Sequence, residues 1–566
     1  MKKPATLIYG LDEIPPPFIT ISNGIQHVGL IAINLVFPLL VFRAAGTPLD
    51  LIAGLLSTGL VVLAIATFLQ AYRLGPIGSG YMCPSTFTAT YLAPSLVAAK
   101  LGGLPLVFGM TLFSGVLEGA IAPLLNRLRA IFPPEISGLV ILLIGLSIGT
   151  SGLRLALAPG AAPFSAAEWQ VAAATLVTMV GLNVWGVGTL RMLCALIGLV
   201  VGYIAAGFAG LFATTFVAVH DAAWLGIPLP HHLSWAFDAT MIAPFAIASV
   251  AAALKAAGTI ALCQRMNDAD WVRPEMASTT RGVLADGAAT AVAGLMGAVG
   301  TNTSTPGVGL AAAIGVGSRP VAYAVAVLFV LLAFFPKLTA LLAIMPRAVM
   351  VSALLFTATF IIINGIQVIS SRLLDARRSL IIGFSLVAGV AVDIFPNLSA
   401  AAPKVLVPVV GSPLVFGTVI ALVLNLLFRL GVKRTVSLTL DRPEGAHQKV
   451  DDLFVRQGAV WGARPDIVKR AVFGVSQLID AVDENCRKDG PMTVTASFDE
   501  FNLDVRLAYQ GDLLEFPEQR PSADDIRAGV DGMRRLAGFM LRRNADKISS
   551  EAGGGGRALV HFHFDH

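Results

Sequence analysis

The chain has 566 residues, of which 55% are hydrophobic and only 13% charged, and its mean hydropathy is +0.76. Soluble domains carry about 25% charged residues, so this deficit excludes a soluble globular protein and requires many membrane spans. The net charge of +5 and the pI near 9.1 do not point to nucleic acid, because basic residues gather at the ends of spans.

In chain order, MKKPATLIYGLDEIPPP does not read as a cleavable signal peptide, since Asp12, Glu13 and three prolines precede the first apolar run. The first span is therefore expected to act as the targeting signal. A span takes about 20 apolar residues. Spans are predicted at 23–42, 51–72, 104–125, 136–153, 169–185, 190–212, 242–263, 283–299, 321–342, 348–369, 380–395 and 414–430. Two further segments are short and interrupted by Gly, Ser and Thr: GPIGSGYMCPSTFTATYL at 75–92, with Pro84 at its centre, and GAVGTNTSTPGVGLAAAIG at 297–315, with Pro306.

These make fourteen membrane elements, and the interrupted ones stand third in each half. Matched interruptions in corresponding positions of two halves point to a transporter site. Half-helix N-termini there can offer N–H groups to an anionic or carbonyl-bearing solute. Hairpin loops outside the membrane are the alternative, disfavoured by their small, apolar flanks. Lys2, Lys3, Arg127, Arg129, Arg265, Arg377, Arg378, Lys433 and Arg434 fall at ends that place both termini in the cytoplasm. Charges become frequent near residue 430, which divides the chain into a membrane domain, 1–435, and a cytosolic domain, 436–566. Cys83, Cys194, Cys263 and Cys486 have neither disulfide nor zinc spacing.

Lys255 lies mid-span in APFAIASVAAALKAAGTIALC. A lone ammonium at that depth costs roughly 2.5–3.5 kcal/mol on insertion scales. It is a candidate charge contact for an anionic solute, or one half of a switchable ion pair; the alternative is a structural pair with a carboxylate. Asp286 is one partner for it, expected to open the next span, and a helix-cap or interfacial role is equally open. Tyr81 follows a Gly-rich turn and can stack on a flat ring, or serve in an aromatic belt. Thr301, Asn302, Thr303, Ser304 and Thr305 form a polar run that needs a water-filled cavity if it lies within lipid. Glu118 reads as a structural ion or hydrogen-bond site before a transport one, and Asp393 as interfacial.

FPPEISGLVILLIG, CQRMNDADWVRPEM, GTNTSTPGVGLAAAIGVGSR and MPRAVMVSALLFTATFIIINGIQVI together resemble the nucleobase–ascorbate transporter family, the xanthine/uracil permeases. The resemblance runs over about residues 10–435. It implies an all-α membrane fold of fourteen segments as a seven-plus-seven inverted repeat, with core and gate domains, often homodimeric. It also implies elevator-type movement of uracil, xanthine, urate or related purines with protons or sodium. The family's eighth-span glutamate, three residues before a glycine, falls on Lys255, with Gly258 as the glycine. The tenth-span signature reads Pro306, Gly307, Val308, Gly309, with Thr305 before it and Ile314 at the family's threonine position. Pro306 and Gly309 match the signature; Gly307 and Ile314 depart from it. Tyr81 is nearest to the third-span aromatic.

A lysine offers three donors and no acceptor, so carbonyl oxygens or an anion suit it better than the N–H groups a glutamate would bind. Xanthine and urate, which lose a proton near neutral pH, fit better than uracil. An anion carrier of the sulfate-permease type, which shares this architecture, is the neighbouring reading. A transporter-like sensor signalling through the tail is a third.

In the tail, helices are predicted at 466–488 and 524–543, and strands at 492–498, 503–509 and 558–564 after the Gly553–Gly556 turn. The order is similar to the ATP-binding fold of histidine kinases and anti-sigma-factor kinases. That resemblance puts Glu484 and Asn485 on the metal-holding helix motif and Gly529, Gly532 and Met533 at the glycine lid. Tyr509-Gln510-Gly511 stands where the adenine-reading Asp-x-Gly belongs, so a degenerate regulatory domain is expected, one that can bind a cytosolic regulatory protein. His561, His563 and His566 alternate on one strand face and read as a solvated edge rather than a metal site. No enzymatic activity is expected.

Overall fold

The structure is a computed structural model. It describes residues 2–72, 75–125, 133–157, 163–212, 216–229, 234–271, 274–370, 374–395, 403, 407–428, 434–440, 445–461, 463, 465–485, 490–498, 502–521, 530–553 and 557–565. The chain forms two compact units, Met1–Leu424 and Asn425–His566.

In the first unit, six helical stretches among the described residues are long and apolar enough to cross a membrane. They are Pro17–Ala44, Leu49–Ala71, Ala89–Leu124, Glu135–Leu157, Ala239–Asn267 and Arg347–Ile369. A bent pair, Arg319–Ala333 and Pro336–Ala343, joined at 83°, makes a seventh if it counts as one span. Cys194–Phe208, Thr305–Ile314 and Pro413–Phe428 are apolar but shorter.

Several predicted spans are redrawn. The span expected at 321–342 is the bent pair, because Pro336 opens a new helix and cannot continue the old one. The first span is two helices, Pro17–Ala32 and Val36–Ala44, linked by a 3-10 turn at Ile33–Leu35. The span expected at 283–299 is the helix Met276–Leu295, so Asp286 sits in its middle and does not open it.

Both interrupted segments are extended where they break. β1 is Ser85–Phe87 and β2 is Thr301–Thr303. They pair antiparallel, with Ser85 opposite Thr303, Thr86 opposite Asn302 and Phe87 opposite Thr301. A two-stranded ribbon buried in a helical unit satisfies its backbone groups internally, as an apolar surround demands. Each strand then runs into a helix. After β1, the 3-10 turn Ala89–Tyr91 leads into Leu92–Ile121, which kinks at Gly102 and Gly103, the latter with φ of 65°. After β2 comes Thr305–Ile314, ended by Gly315 in the left-handed region.

Helices Leu92–Ile121 and Met276–Leu295 approach backbone to backbone. A Cβ on Gly115 would lie 2.1 Å from Ala291 N, and one on Gly287 would lie 2.5 Å from Gly119 N. Glycine is required there by contact, not by conformation.

The second unit carries a five-stranded antiparallel sheet in the order β3-β4-β5-β7-β6. Its strands are β3 Arg434–Leu440, β4 Met492–Phe498, β5 Asn502–Gln510, β6 Lys547–Gly553 and β7 Arg557–Asp565. β4 shows the strict alternation of a half-buried strand. Its inward residues join Phe454, Trp461, Leu478, Val482 and Phe562 in one core, to which the helices Ala446–Trp461 and Pro465–Asn485 contribute. The sequence reading omitted β3, β6 and the helix Ala446–Trp461; β3 spans the expected domain boundary at 435.

Candidate functional site

The ribbon brings two helix starts together. Thr88 closes β1 and caps the first: its Oγ1 accepts from the Thr90 backbone N–H at 3.3 Å. Ser304 closes β2 and caps the second, accepting from Gly307 N at 3.1 Å. Serine and threonine serve here because a short side-chain oxygen reaches the free N–H groups of the first turn. Each N-terminus carries about half a positive charge.

Lys255 comes to this junction from helix Ile242–Asn267, where its Nζ donates to Thr88 Oγ1 at 3.3 Å. An ammonium beside a helix N-terminus adds positive charge to positive charge, an arrangement that favours an anion. Its other charged neighbours are Asp286 and Glu118. Lys255 is half-buried, and one turn on, Gly258 is exposed, with open space where a Cβ would be. Pro306 and Gly309 are exposed as well, and Gly309 also faces open space. Thr305 is partly exposed, and its hydroxyl is 2.8 Å from that of Thr259, tying the second helix start to the Lys255 helix. The Lys255 helix thus touches both helix starts, Lys255 at Thr88 and Thr259 at Thr305.

Other expected site residues are buried around this junction rather than open to it. Tyr81 is buried in an apolar cluster with Cys83, Ala253, Ala256 and Ile260. Gly307 is buried against Pro84, where a Cβ would come within 2.8 Å of Cγ, and its carbonyl contacts His27 Nε2 at 3.1 Å. Asp286 is fully buried and accepts from Asn302 Nδ2 at 2.6 Å. Asn302 Nδ2 also donates to the Ala252 carbonyl at 2.9 Å, so the polar run predicted to line water is instead satisfied by protein. Glu118 accepts from Tyr91 Oη at 2.9 Å.

Sequence reading missed His27, Thr88 and Tyr91. His27 carried a usable signal, a histidine inside the apolar helix Pro17–Ala32. The other two are recognisable only once the ribbon is folded. In the second unit, Glu484 and Asn485 end the helix Pro465–Asn485, and their side chains lie outside the described residues, as do Cys486, Gly529 and His566. His563 Nδ1 lies 2.7 Å from Asp504 Oδ1, and His561 lies 4.0 Å from Glu551. Among the described residues no cluster of three His, Cys, Asp or Glu is placed to hold a metal ion.

The first unit's sequence matches the Permease family of xanthine/uracil type over residues 18–398. The chain belongs to this permease family. Xanthine permease XanQ of Escherichia coli is 27% identical over 445 residues, 76% of this chain and 95% of that protein. Nucleobase transporter PlUacP of Paenibacillus larvae is 26% identical over 421 residues, 73% of this chain and 95% of its own. Among solved structures, the murine Solute Carrier 26 family member A9 anion transporter, in its inward-facing state, superposes with a TM-score of 0.50 at 12% identity. That match covers 75% of this chain and 70% of the other, and it speaks to the fold alone. The permease is an integral membrane transporter of a small solute, not an enzyme.

Proposed function

We propose that this permease is a secondary active carrier of a nucleobase-type organic anion, xanthine or urate in class, with Lys255 as its charge contact. The observation that carries the reading is the Lys255 ammonium beside Thr88, at the start of one of two helices whose N-termini the ribbon brings together. Relatives named as xanthine permeases and a nucleobase transporter support the substrate class. On this reading Thr305, Pro306 and Gly309, partly or fully exposed at the second helix start, line the same site.

On this reading the first unit works as a seven-plus-seven inverted repeat with core and gate domains, moving its solute by an elevator motion, as a homodimer. It sits in the plasma membrane with both termini cytoplasmic. The second unit is a regulatory domain with a degenerate ATPase-like fold, acting through a cytosolic partner. The test is uptake of radiolabelled xanthine and urate by cells expressing the full chain, with Lys255→Met alongside. Saturable uptake lost in the variant is the expected result; uptake indifferent to Lys255 would overturn it.

The lysine in place of a glutamate also favours a second reading, a carrier of inorganic anions. Competition by sulfate or bicarbonate without competition by urate would select it. Binding without accumulation would instead mark a sensor.

A further inference from the structure

Glu118 and Asp286 are fully buried, on the helices Leu92–Ile121 and Met276–Leu295. The packing brings them near one another: Gly287, next to Asp286, lies against the backbone of Gly119, next to Glu118. One oxygen of each has a donor: Tyr91 Oη serves Glu118 Oε2, and Asn302 Nδ2 serves Asp286 Oδ2. Glu118 Oε1 and Asp286 Oδ1 have none. An ionised carboxylate only accepts, so two buried carboxylates side by side cannot satisfy each other's free oxygens. A proton on one of them makes that carboxyl a donor, and like charges in a shared buried site retain a proton.

The helices hold the pair together. Gly115 and Gly119 flank Glu118, Gly287 follows Asp286, and the backbones touch at all three glycines. The charged or titratable groups facing the pair are Lys255 from the helix Ile242–Asn267, Tyr91 from the 3-10 turn and the Cys83 thiol.

Charge can then be counted. Lys255 contributes one positive charge. A carboxyl pair with one proton contributes one negative charge, so the resting cluster is neutral. A solute anion at Lys255 leaves it one charge too negative in a site where uncompensated charge is costly. A second proton on the pair restores neutrality.

We propose that the Glu118–Asp286 pair is the proton site of this carrier, holding one proton at rest and a second when an anion occupies Lys255. The proposal rests on the anion reading of Lys255. The incoming proton leaves water on the side to which the site is open and forms an O–H bond on the remaining carboxylate. It returns to water on the other side as the anion leaves. No electrons move, and anion and proton cross together without net charge. Linkage is reciprocal, so protons raise anion affinity by the factor by which the anion raises proton affinity.

The experiment uses purified full-length protein. Infrared spectra at neutral pH are expected to show a protonated carboxyl band that shifts in D2O. The band is absent in both Glu118→Gln and Asp286→Asn, because Lys255 then balances the single remaining carboxylate. In weak buffer with a pH indicator, urate is expected to bring about one proton per molecule bound. Either single variant retains that uptake on its remaining carboxylate, and the double variant loses it. A resting wild-type protein without the band, or a double variant that still takes up the proton, overturns the proposal. Urate binding that is absent, or unchanged in Lys255→Met, overturns the anion reading and with it the coupling. The resting band, read on wild-type protein, still decides whether the pair shares a proton.

Discussion

Replacing Lys255 by methionine keeps the length of the side chain and removes its charge. At rest the ammonium has one side-chain hydrogen bond among the described residues, to Thr88 Oγ1 at 3.3 Å. That bond is long, so the ammonium can turn to an incoming anion at little cost. A hydrogen bond to a charged group contributes about 1.5–3 kcal/mol. Its loss should therefore weaken urate or xanthine binding roughly tenfold to a hundredfold. Equilibrium binding to full-length protein measures the affinity, and a melting curve of the same samples measures stability. The two readouts separate the roles of the lysine. A purely structural counter-ion for Asp286 and Glu118 would, on removal, cost about 3–5 kcal/mol of stability by leaving charge uncompensated, with affinity in the surviving protein unchanged. Wild-type affinity in Lys255→Met refutes the charge-contact argument.

Three further outcomes follow from the packing. Gly287→Ala places a Cβ 2.5 Å from Gly119 N, and overpacking of that kind costs about 1–3 kcal/mol; the melting temperature should fall, whereas Gly258→Ala, which meets open space, should leave it unchanged. Arg378 and Glu135 form a buried pair at 3.1 Å between the helices Ala376–Ile394 and Pro134–Leu157. Arg378→Leu alone should cost about 3–5 kcal/mol, and Arg378→Leu with Glu135→Leu should recover most of it, which a double-mutant cycle of melting data tests. At the N-terminus, Lys3 Nζ at 2.6 Å from its carboxylate holds Glu13 below the usual carboxylate range. A depressed carboxylate stabilises above its unfolded pKa and loses that contribution as pH falls through the folded value. Glu13→Gln should therefore speed amide exchange at Tyr9 and Gly317, the residues that fasten this segment to the end of helix Thr305–Ile314, at neutral pH. The difference should vanish in strong acid.

The sequence was most legible where one physical rule dominates. Long apolar runs became helices, and the strict alternation in MTVTASF became β4 at the predicted residues. The two interrupted segments were visible as breaks because glycine, serine, threonine and proline resist continuous helix. What they become was not visible. Pairing Thr86 with Asn302 is a contact over more than 200 positions, and no local propensity encodes it. The strand β6, KISSEAG, was missed because its burial pattern is that of an edge strand, largely exposed. In the site, Lys255 stood out through the cost of its charge. Tyr81 misled because an aromatic beside a glycine turn looks ready to stack, yet its ring packs in a cluster with Ile260 and Cys263. Thr88 carried no signal, since its importance lies in capping a helix that starts only because β1 ends there.

The lysine also changes what the paired helix starts can hold. With a carboxylate at position 255, the partial charges of two N-termini, about half a unit each, would be largely compensated from within the protein. With Lys255 they are reinforced, and a neutral solute gains little from the field. The compensating charge has to sit elsewhere, and it is found on Glu118 and Asp286, which are fully buried while Lys255 keeps a partly open face. On the proposed reading, the charge that meets the solute and the charges that answer it are on separate helices. Glycine contacts fix the helices of Glu118 and Asp286 against each other, whereas among the described residues the Lys255 ammonium has one side-chain hydrogen bond, a long one to Thr88. Of the three, the lysine is the group free to move toward an anion, and the carboxyl pair can respond only by changing its protons.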